Sequence, residues 1–267
     1  MNDITKERVI ISMTSFPAAI KYAEQSIETI LKGTVLPDKI IINLVLSNFE
    51  DKNILNPLQS LSQRYPIVVI NDCPIEYHSY LKLIPTLKLH PNDIIVTVDD
   101  DIVYPPDMLE RLLKTHRMYP EDIIAMRCKL VDPEKPYRFW KKFRRKHSLL
   151  KRRHKNPRIM QTGVSGVLYP PNSLKKEMLD PELFTQIAPT ADDIWFWAAA
   201  IANNRYVTPV PFADSRVNEL PKPAEISLKT TNFKGGSDKN FEALMNILTK
   251  YPSLKDKIYS GKNNRWL

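Results

Sequence analysis

The chain has 267 residues, of which 43% are hydrophobic and 26% charged, and this length and composition exclude disorder or a small disulfide scaffold. The formal net charge is +9. Eleven lysines and arginines and no acid lie within residues 138–158, and the remaining 28 bases and 30 acids leave the rest of the chain at −2.

The sequence carries no recognisable membrane or export signal. Its longest apolar runs, such as residues 194–202, are much shorter than the roughly 20 residues that a membrane-spanning helix needs. The N-terminal MNDITKERV lacks the regions of a signal peptide. We therefore expect a cytoplasmic protein. Its two cysteines, Cys73 and Cys128, have no C-x-x-C spacing, and we expect both to be reduced and buried.

Strand and helix patterns alternate through the first hundred residues. Near-continuous β-branched runs predict strands that are covered on both faces, and amphipathic patterns between them predict helices. This alternation is typical of an α/β fold with a mostly parallel sheet and right-handed crossovers. The predicted strands are 9–13, 40–46, 67–70 and 94–98, and the predicted helices are 19–32 and 54–65.

Ligands of such sheets bind beyond the carboxyl ends of the strands. The residues at these ends are Thr14, Ser15, Phe16 and Pro17 after the first strand, Asn71 and Asp72 after the third, and Asp99, Asp100 and Asp101 after the fourth. No glycine-rich phosphate motif follows any of these strands, and the chain has six glycines. The sequence therefore argues against a dinucleotide-binding fold and a P-loop NTPase.

The chain after the fourth predicted strand is more irregular, because 15 of the 22 prolines lie at or after residue 105. We predict a single domain in which residues 1–104 bind a ligand and residues 105–217 complete the site. Residues 218–267 would form a C-terminal tail with a helix at 238–250.

Three consecutive carboxylates follow the fourth predicted strand in IIVTVDDDIVYPPD. They would repel one another unless a cation neutralised them, and hard oxygen ligands suit magnesium or manganese. In an extended chain Asp99 and Asp101 point to one side and Asp100 to the other. Asp99 and Asp101 are therefore the candidate metal ligands, and a solvated acidic turn or helix cap is the alternative.

A second acidic pair, Asp192 and Asp193, precedes an aromatic helix in PTADDIWFWAAA. One of the two could be a general base in a pocket walled by Trp195 and Trp197. The alternative is a pair of helix N-caps, which the helix dipole would favour.

The segment QTGVSGVLYPP contains Gly163 and Gly166, which would allow the backbone to approach a ligand closely, and Tyr169, which offers an aromatic face. A glycine-bearing strand and turn explains the segment equally well.

The order of TSFP, VDDDI, GVSGVLYPP and ADDIWF resembles nucleotide-sugar-dependent glycosyltransferases of the GT-A fold. More narrowly, it is similar to family-2-like bacterial enzymes that build surface polysaccharide or lipopolysaccharide. The resemblance covers roughly residues 9–197. It implies transfer of a sugar from a nucleotide-sugar, with UDP as the favoured nucleotide, to a saccharide or lipid-linked acceptor, assisted by Mn²⁺ or Mg²⁺.

The resemblance also implies roles for donor-side residues. Thr14, Ser15 and Asp72 would line the nucleoside pocket, and the DxD-type carboxylates would serve the donor. Asp99 would lie towards the ribose, Asp100 would also bind the donor, and Asp101 would hold a divalent cation on the diphosphate. Lys82 is a weaker candidate for binding the diphosphate or bracing the acidic cluster, with a surface lysine as the alternative.

On the acceptor side, Asp193 matches the general base of inverting members, and Asp192 would be its orienting neighbour or an alternative base. Retention of configuration stays open. Acceptor-binding candidates are Gly166, Tyr169 and Trp195. The chain has no histidine after His154, so the metal shell would rely on Asp101, diphosphate oxygens and water.

The basic segment, residues 138–158, suggests a helix with Phe139, Phe143 and Leu150 in one stripe and Trp140 at its border. Such a helix suits an anionic membrane, here the inner face of the plasma membrane. A solvated loop and direct contact with a phosphorylated acceptor are alternatives. We expect no nucleic-acid partner, because no recognisable module accompanies the run.

Two other functions fit parts of the sequence. An aspartate-dependent phosphatase would use Asp99 as nucleophile and Asp192 and Asp193 as its second acidic pair. Its motif normally lies on the first strand, however, and here three predicted strands come before it. A non-catalytic module that binds lipid or nucleic acid would explain the basic segment but leave both acidic clusters without a role.

Overall fold

A computed structural model describes residues 7–143, 155–213, 218–221, 223 and 238–260. The described chain is a three-layer α/β structure with a seven-stranded central sheet. The strands of this sheet are β1 (Val9–Thr14), β2 (Lys39–Leu44), β3 (Val68–Asp72), β4 (Ile94–Thr97), β5 (Ile123–Ala125), β9 (Val167–Tyr169) and β10 (Val207–Pro209). A smaller sheet contains β6 (Cys128–Leu130), β7 (Lys141–Phe143) and β8 (Ile159–Gln161).

The strand order of the central sheet is β10-β5-β9-β4-β1-β2-β3. β9 is antiparallel to both β4 and β5, and the other neighbouring pairs are parallel. The four strands predicted from apolar runs are all present, which confirms the mostly parallel α/β fold. The second strand ends two residues earlier than predicted, because the chain turns into a 3₁₀-helix at Leu46–Asn48.

Helices cover both faces of the sheet. They are α1 (Ile20–Leu31), α2 (Asn56–Arg64), α3 (Ile84–Leu89), α4 (Met108–Met118), α5 (Pro181–Ile187), α6 (Asp192–Ala202), α7 (Lys239–Lys250) and α8 (Pro252–Ser260). Alternate strand residues point to opposite faces: Ile94 and Val96 pack with α1, α2 and α4, whereas Ile95 packs with α3 and α5 to α8. This double coverage explains why the strands are apolar throughout.

The helix α6 is apolar on all sides, and every residue of it from Ile194 to Ile201 is buried. A helix of this kind belongs in the interior of a protein. Its tryptophan ring nitrogens are satisfied by backbone carbonyls, since Trp195 Nε1 donates to Met178 O over 2.7 Å and Trp197 Nε1 to Pro157 O over 3.0 Å. The core around α6 thus fixes the start of this helix.

The predicted basic helix is wrong over the described part of its range. Residues 141–143 form β7, in which Phe143 pairs with Cys128 of β6. Trp140 is buried with its Nε1 donating to Lys135 O, so it does not border an exposed stripe. Residues 144–154, which include Leu150, lie outside the described residues.

Three further sequence predictions can be compared with the structure. The C-terminal helix at 238–250 is confirmed as α7, which begins after an Asp238 side chain that accepts from Phe241 N. Cys73 and Cys128 are both free and buried, as predicted. In the described part of the chain, no helix has the length and apolar character needed to cross a membrane.

Candidate active site

The carboxyl ends of the parallel strands meet at one edge of the central sheet. Register pairs such as Thr14 with Asn43 and Leu44 with Asp72 place the segments after β1, β2 and β3 side by side. β4 and β5 point the same way, because β9 is antiparallel to each of them. The acidic triplet after β4 therefore lies at the edge where the sequence predicts a ligand site.

The three carboxylates of the triplet lie in different environments. β4 ends at Thr97 and Asp100 and Asp101 form a turn, so the alternation expected of an extended chain does not apply. Asp100 is buried, and its carboxylate accepts a hydrogen bond from Ser15 Oγ. Asp99 and Asp101 are partly exposed. Asp99 N donates to Tyr104 Oη over 2.7 Å, which fixes the backbone at the start of the triplet.

Lys82 lies at the centre of the site, so its interpretation as a surface lysine was wrong. It ends the 3₁₀-helix His78–Lys82 and is only 8% exposed. Its Nζ lies 3.2 Å from Asp99 Oδ1 and 3.1 Å from Asp192 Oδ2. Burial alone would lower the pKa of Lys82, but the charges of Asp192, Asp99 and Asp193 raise that pKa well above its usual value. Lys82 is therefore a buried cation between two acidic segments.

The two acids of the second pair occupy the first turn of α6 but differ in their contacts. Asp192 is buried, and its Oδ1 accepts from Ser79 Oγ over 2.8 Å. Asp193 is partly exposed, and its Oδ2 accepts from Gly163 N over 2.9 Å. The N-cap of α6 is Ala191, so the alternative that the pair caps the helix is wrong.

The carboxyl group of Asp193 titrates near neutrality. Burial, and then the charge of Asp192, raises its pKa to about 7, although Lys82 and the Gly163 N–H oppose this shift. Such a value suits a group that accepts a proton at physiological pH. Asp193 is therefore a partly exposed acid whose pKa is raised towards neutrality.

Gly163 leaves room for two side chains beside it. A Cβ at this position would lie 2.8 Å from Lys82 Nζ and 3.0 Å from Asp193 Oδ1. The backbone at Gly163 therefore closely approaches Lys82 and Asp193, whereas the sequence predicted a close approach to a ligand. Gly166 has a φ of +101°, and a Cβ there would meet Met108 Sδ at 3.0 Å. It serves the turn before β9, where Ser165 also has a positive φ.

Other predicted site residues are buried or hydrogen-bonded within the protein. Tyr169, Trp195 and Trp197 are at most 2% exposed, so the tryptophans pack in the core and do not wall an open pocket. Thr14 Oγ1 donates to Asn43 O, and Asp72 Oδ1 accepts from Leu46 N. The roles of these residues in donor or acceptor binding stay predictions.

Sequence reasoning did not identify two other residues of the site. Ser79 was not singled out because its 3₁₀-helix has no periodic pattern. Arg127 follows β5 at the same sheet edge, and its backbone oxygen accepts from Thr162 N beside Gly163. Its Nε is buried without a hydrogen-bond partner among the described residues. The short apolar run IIAM before it could have indicated a strand end.

The oxygen ligands at this edge fit a magnesium or manganese ion that a substrate helps to hold. No cluster of three or more acidic, histidine or cysteine side chains that could bind a metal occurs within the described residues. Mg²⁺ commonly binds through one or two carboxylates together with substrate phosphates. The partly exposed Asp99 and Asp101 provide such a donor set, although Lys82 already neutralises one oxygen of Asp99.

The described portion of the basic segment contains both exposed and structural residues. Arg138, Lys141 and Lys142 are exposed, and Phe139 is 59% exposed. Arg158, in contrast, is buried, and its Nε donates to Val131 O over 2.8 Å. Arg138, Phe139, Lys141 and Lys142 therefore form an exposed basic surface with one aromatic side chain, at the start of β7 in the small sheet.

One solved structure supports the fold. The chain is similar to the mannosyltransferase PcManGT from Pyrobaculum calidifontis, whose structure contains GDP-Man and Mn²⁺, with a TM-score of 0.52 and 14% identity over 97% of this chain and 74% of that chain. A 4-diphosphocytidyl-2C-methyl-D-erythritol synthase aligns with a TM-score of 0.44 and 14% identity over 82% of this chain and 95% of the other. No curated protein sequence matches the chain.

The family is established by a sequence model. Residues 19–180, more than half of the chain, match the model described as Glycosyl transferase family 2. The match spans the acidic triplet and Lys82, and it agrees with the GT-A, Rossmann-like sheet. The chain belongs to glycosyl transferase family 2.

Proposed function

We propose that the protein transfers a sugar from a nucleotide-sugar, with UDP as the favoured nucleotide, to a hydroxyl group of a saccharide or lipid-linked acceptor. The observation that carries this proposal is Asp193, a partly exposed carboxylate at the ligand-binding edge with a pKa of about 7. At that pKa a large fraction of the group is ionised at neutral pH and still accepts a proton readily.

In this mechanism Asp193 removes the proton from the acceptor hydroxyl as its oxygen attacks the anomeric carbon. Gly163 N–H fixes the orientation of the carboxylate, and Asp192 is occupied by Ser79 and Lys82. Attack from the face opposite the nucleoside diphosphate would invert the configuration of the sugar. Proton removal by a positioned base contributes about 10²–10⁴ to the rate of such reactions.

The donor half would use the segments after β1, β3 and β4. Thr14, Ser15 and Asp72 would surround the nucleoside, with Asp99 towards the ribose and Asp100 held by Ser15 on the same donor side. A Mg²⁺ or Mn²⁺ ion held by Asp101, Asp99 and the diphosphate would offset the charge that develops on the leaving group. Lys82 would act through the carboxylates that it contacts, because its amino group is buried between them.

The exposed basic surface of the small sheet would face an anionic membrane at the inner face of the plasma membrane. Arg138, Lys141 and Lys142 supply the charge, and Phe139 supplies an apolar side chain for the interface. This placement would suit synthesis of surface polysaccharide or lipopolysaccharide on a lipid-linked acceptor. Vesicles containing phosphatidylglycerol should bind the protein more tightly than phosphatidylcholine vesicles, and added salt should weaken that binding.

The phosphatase alternative is not favoured by the site. Its nucleophile would be Asp99, whose carboxylate is ion-paired with Lys82 and follows the fourth strand of the chain. A purely lipid-binding or nucleic-acid-binding module would leave the Asp192, Asp193 and Gly163 arrangement without a role.

Calorimetric titration with UDP, GDP and CMP, each with and without MnCl₂, tests the proposal. We expect one nucleotide to bind, and to bind more tightly with manganese. Incubation with the corresponding nucleotide-sugars should then release the free nucleotide, UDP, GDP or CMP, by slow transfer to water. Absence of binding for all three nucleotides would contradict the proposed function.

A further inference from the structure

The 3₁₀-helix His78–Lys82 holds both oxygens of the Asp192 carboxylate. Ser79 Oγ donates to Oδ1 over 2.8 Å, and Lys82 Nζ lies 3.1 Å from Oδ2. Asp192 is only 7% exposed. Asp193, the next residue, is partly exposed and receives its hydrogen bond from the backbone of Gly163. Asp192 is thus held by one hydrogen bond and one ion pair within the protein, whereas Asp193 remains partly accessible.

Lys82 also connects this pair to the acidic triplet. Its Nζ lies 3.2 Å from Asp99 Oδ1, so a single ammonium group joins a residue after β4 to the first turn of α6. Gly163 leaves the space in which this ammonium lies, since a Cβ there would be 2.8 Å from Nζ. A buried cation at hydrogen-bond distance from two carboxylates restricts the positions of both.

We propose that Lys82 is a positioning residue that holds Asp192 out of the reaction and thereby makes Asp193 the base, while fixing the base relative to Asp99. This inference rests on the proposed transferase function. It assigns Lys82 no contact with substrate. Removing the amino group would leave Asp192 buried without its cation. The first turn of α6 would then also lose its link through Lys82 to Asp99.

The charge of Lys82 would also act on Asp193. Loss of that cation should raise the pKa of Asp193 above about 7, because Lys82 opposes the effects of burial and of Asp192. A base must be deprotonated to act, so the acidic limb of the pH–rate profile should move to higher pH. The charged and titratable groups around Asp193 are Lys82, Tyr80, Asp99, Tyr137, Tyr169 and Asp192.

The test compares Lys82→Met with Lys88→Met, which makes the same change at an exposed lysine of α3. Nucleoside diphosphate release from the nucleotide-sugar is followed from pH 5.5 to 9, and affinity for the free nucleotide is measured in parallel. We expect Lys82→Met to lower the rate at pH 7 by at least ~10-fold, to shift the acidic limb upward and to change nucleotide affinity by less than ~3-fold.

A second variant separates positioning from a general loss of stability. In Lys82→Met/Asp192→Asn both partners of the ion pair become neutral, so the limb should return towards its wild-type position. An acidic limb of the pH–rate profile that does not move in Lys82→Met would overturn the proposal. A loss of nucleotide affinity above ~10-fold would also overturn it, because it would indicate a direct contact of Lys82 with the diphosphate. Wild-type nucleotide binding is measured first, so failure of the proposed function would be seen separately.

Discussion

The two halves of the central sheet differ in what holds their functional groups in place. β1 to β4 are apolar, parallel strands of four to six residues, and the donor-side acids simply follow one of them. β5, β9 and β10 have three residues each. On that side, the carboxylates of Asp192 and Asp193 are held by single contacts from Ser79, Lys82 and Gly163.

This difference indicates where substitutions should act. In the donor half, hydrogen-bonded strands carry the backbone, so changing one acid should affect ligand binding and leave the fold intact. The acidic pair of α6 is instead held by Gly163 and by the 3₁₀-helix His78–Lys82, which reaches it from between β3 and β4. Changes in those connecting segments should therefore cost activity even where no substrate is contacted.

The largest effect should come from Asp193→Asn. The variant keeps the shape of the side chain but cannot accept the acceptor proton, so transfer should fall by about 10²–10⁴ while nucleotide binding is retained. Initial rates of nucleoside diphosphate release and calorimetry measure the two properties. Asp256→Asn, at an exposed position of α8, is the matched control. Loss of nucleotide binding in Asp193→Asn would show that this residue is structural.

Gly163→Ala should have the next largest effect. The new methyl group would come within 3.0 Å of both Lys82 Nζ and Asp193 Oδ1, and these groups would have to separate. We expect a destabilisation of about 1–3 kcal/mol, typical of an overpacked site. Activity should fall more than stability explains, since a small displacement of a base is costly. Urea denaturation measures the stability and initial rates measure the activity, with Val164→Ala as the control. Wild-type activity in Gly163→Ala would show that the base does not need a glycine beside it.

The acids after β4 were easier to predict from the sequence than the surroundings of Asp193, because the apolar pattern of the strands was enough to locate them. Continuous apolar runs located β1 to β4 within two residues, and the acids of the triplet follow β4 directly. The contacts of Lys82 could not be read from sequence, because it lies 17 residues from Asp99 and 110 from Asp192. The basic segment was misjudged because β7 is specified by pairing with β6, whereas its residues alone suit a helix.

Asp101→Asn should have a moderate effect, confined to the manganese-dependent part of nucleotide binding. The amide that replaces the carboxylate is a weaker ligand for a hard cation, so the enhancement of nucleotide binding by manganese should disappear. Metal-free binding should change by less than ~3-fold if the fold is intact. Calorimetry with and without MnCl₂ measures both affinities, and Asp107→Asn, at a partly exposed position before α4, is the control. An unchanged metal response would remove Asp101 from the proposed ligand set.

The smallest effect on transfer should come from Trp195→Phe, which separates the core from the acceptor site. Trp195 is fully buried, and its Nε1 donates to Met178 O. Phenylalanine would leave that carbonyl without its donor and a small void beside it, so stability should fall by roughly 1–3 kcal/mol. The KM for a productive acceptor should remain within ~2-fold of wild type, because the indole is packed in the core. A large rise in KM with unchanged stability would restore Trp195 to the acceptor site. It would also mean that α6 exposes a face during turnover that is packed against the protein in this structure.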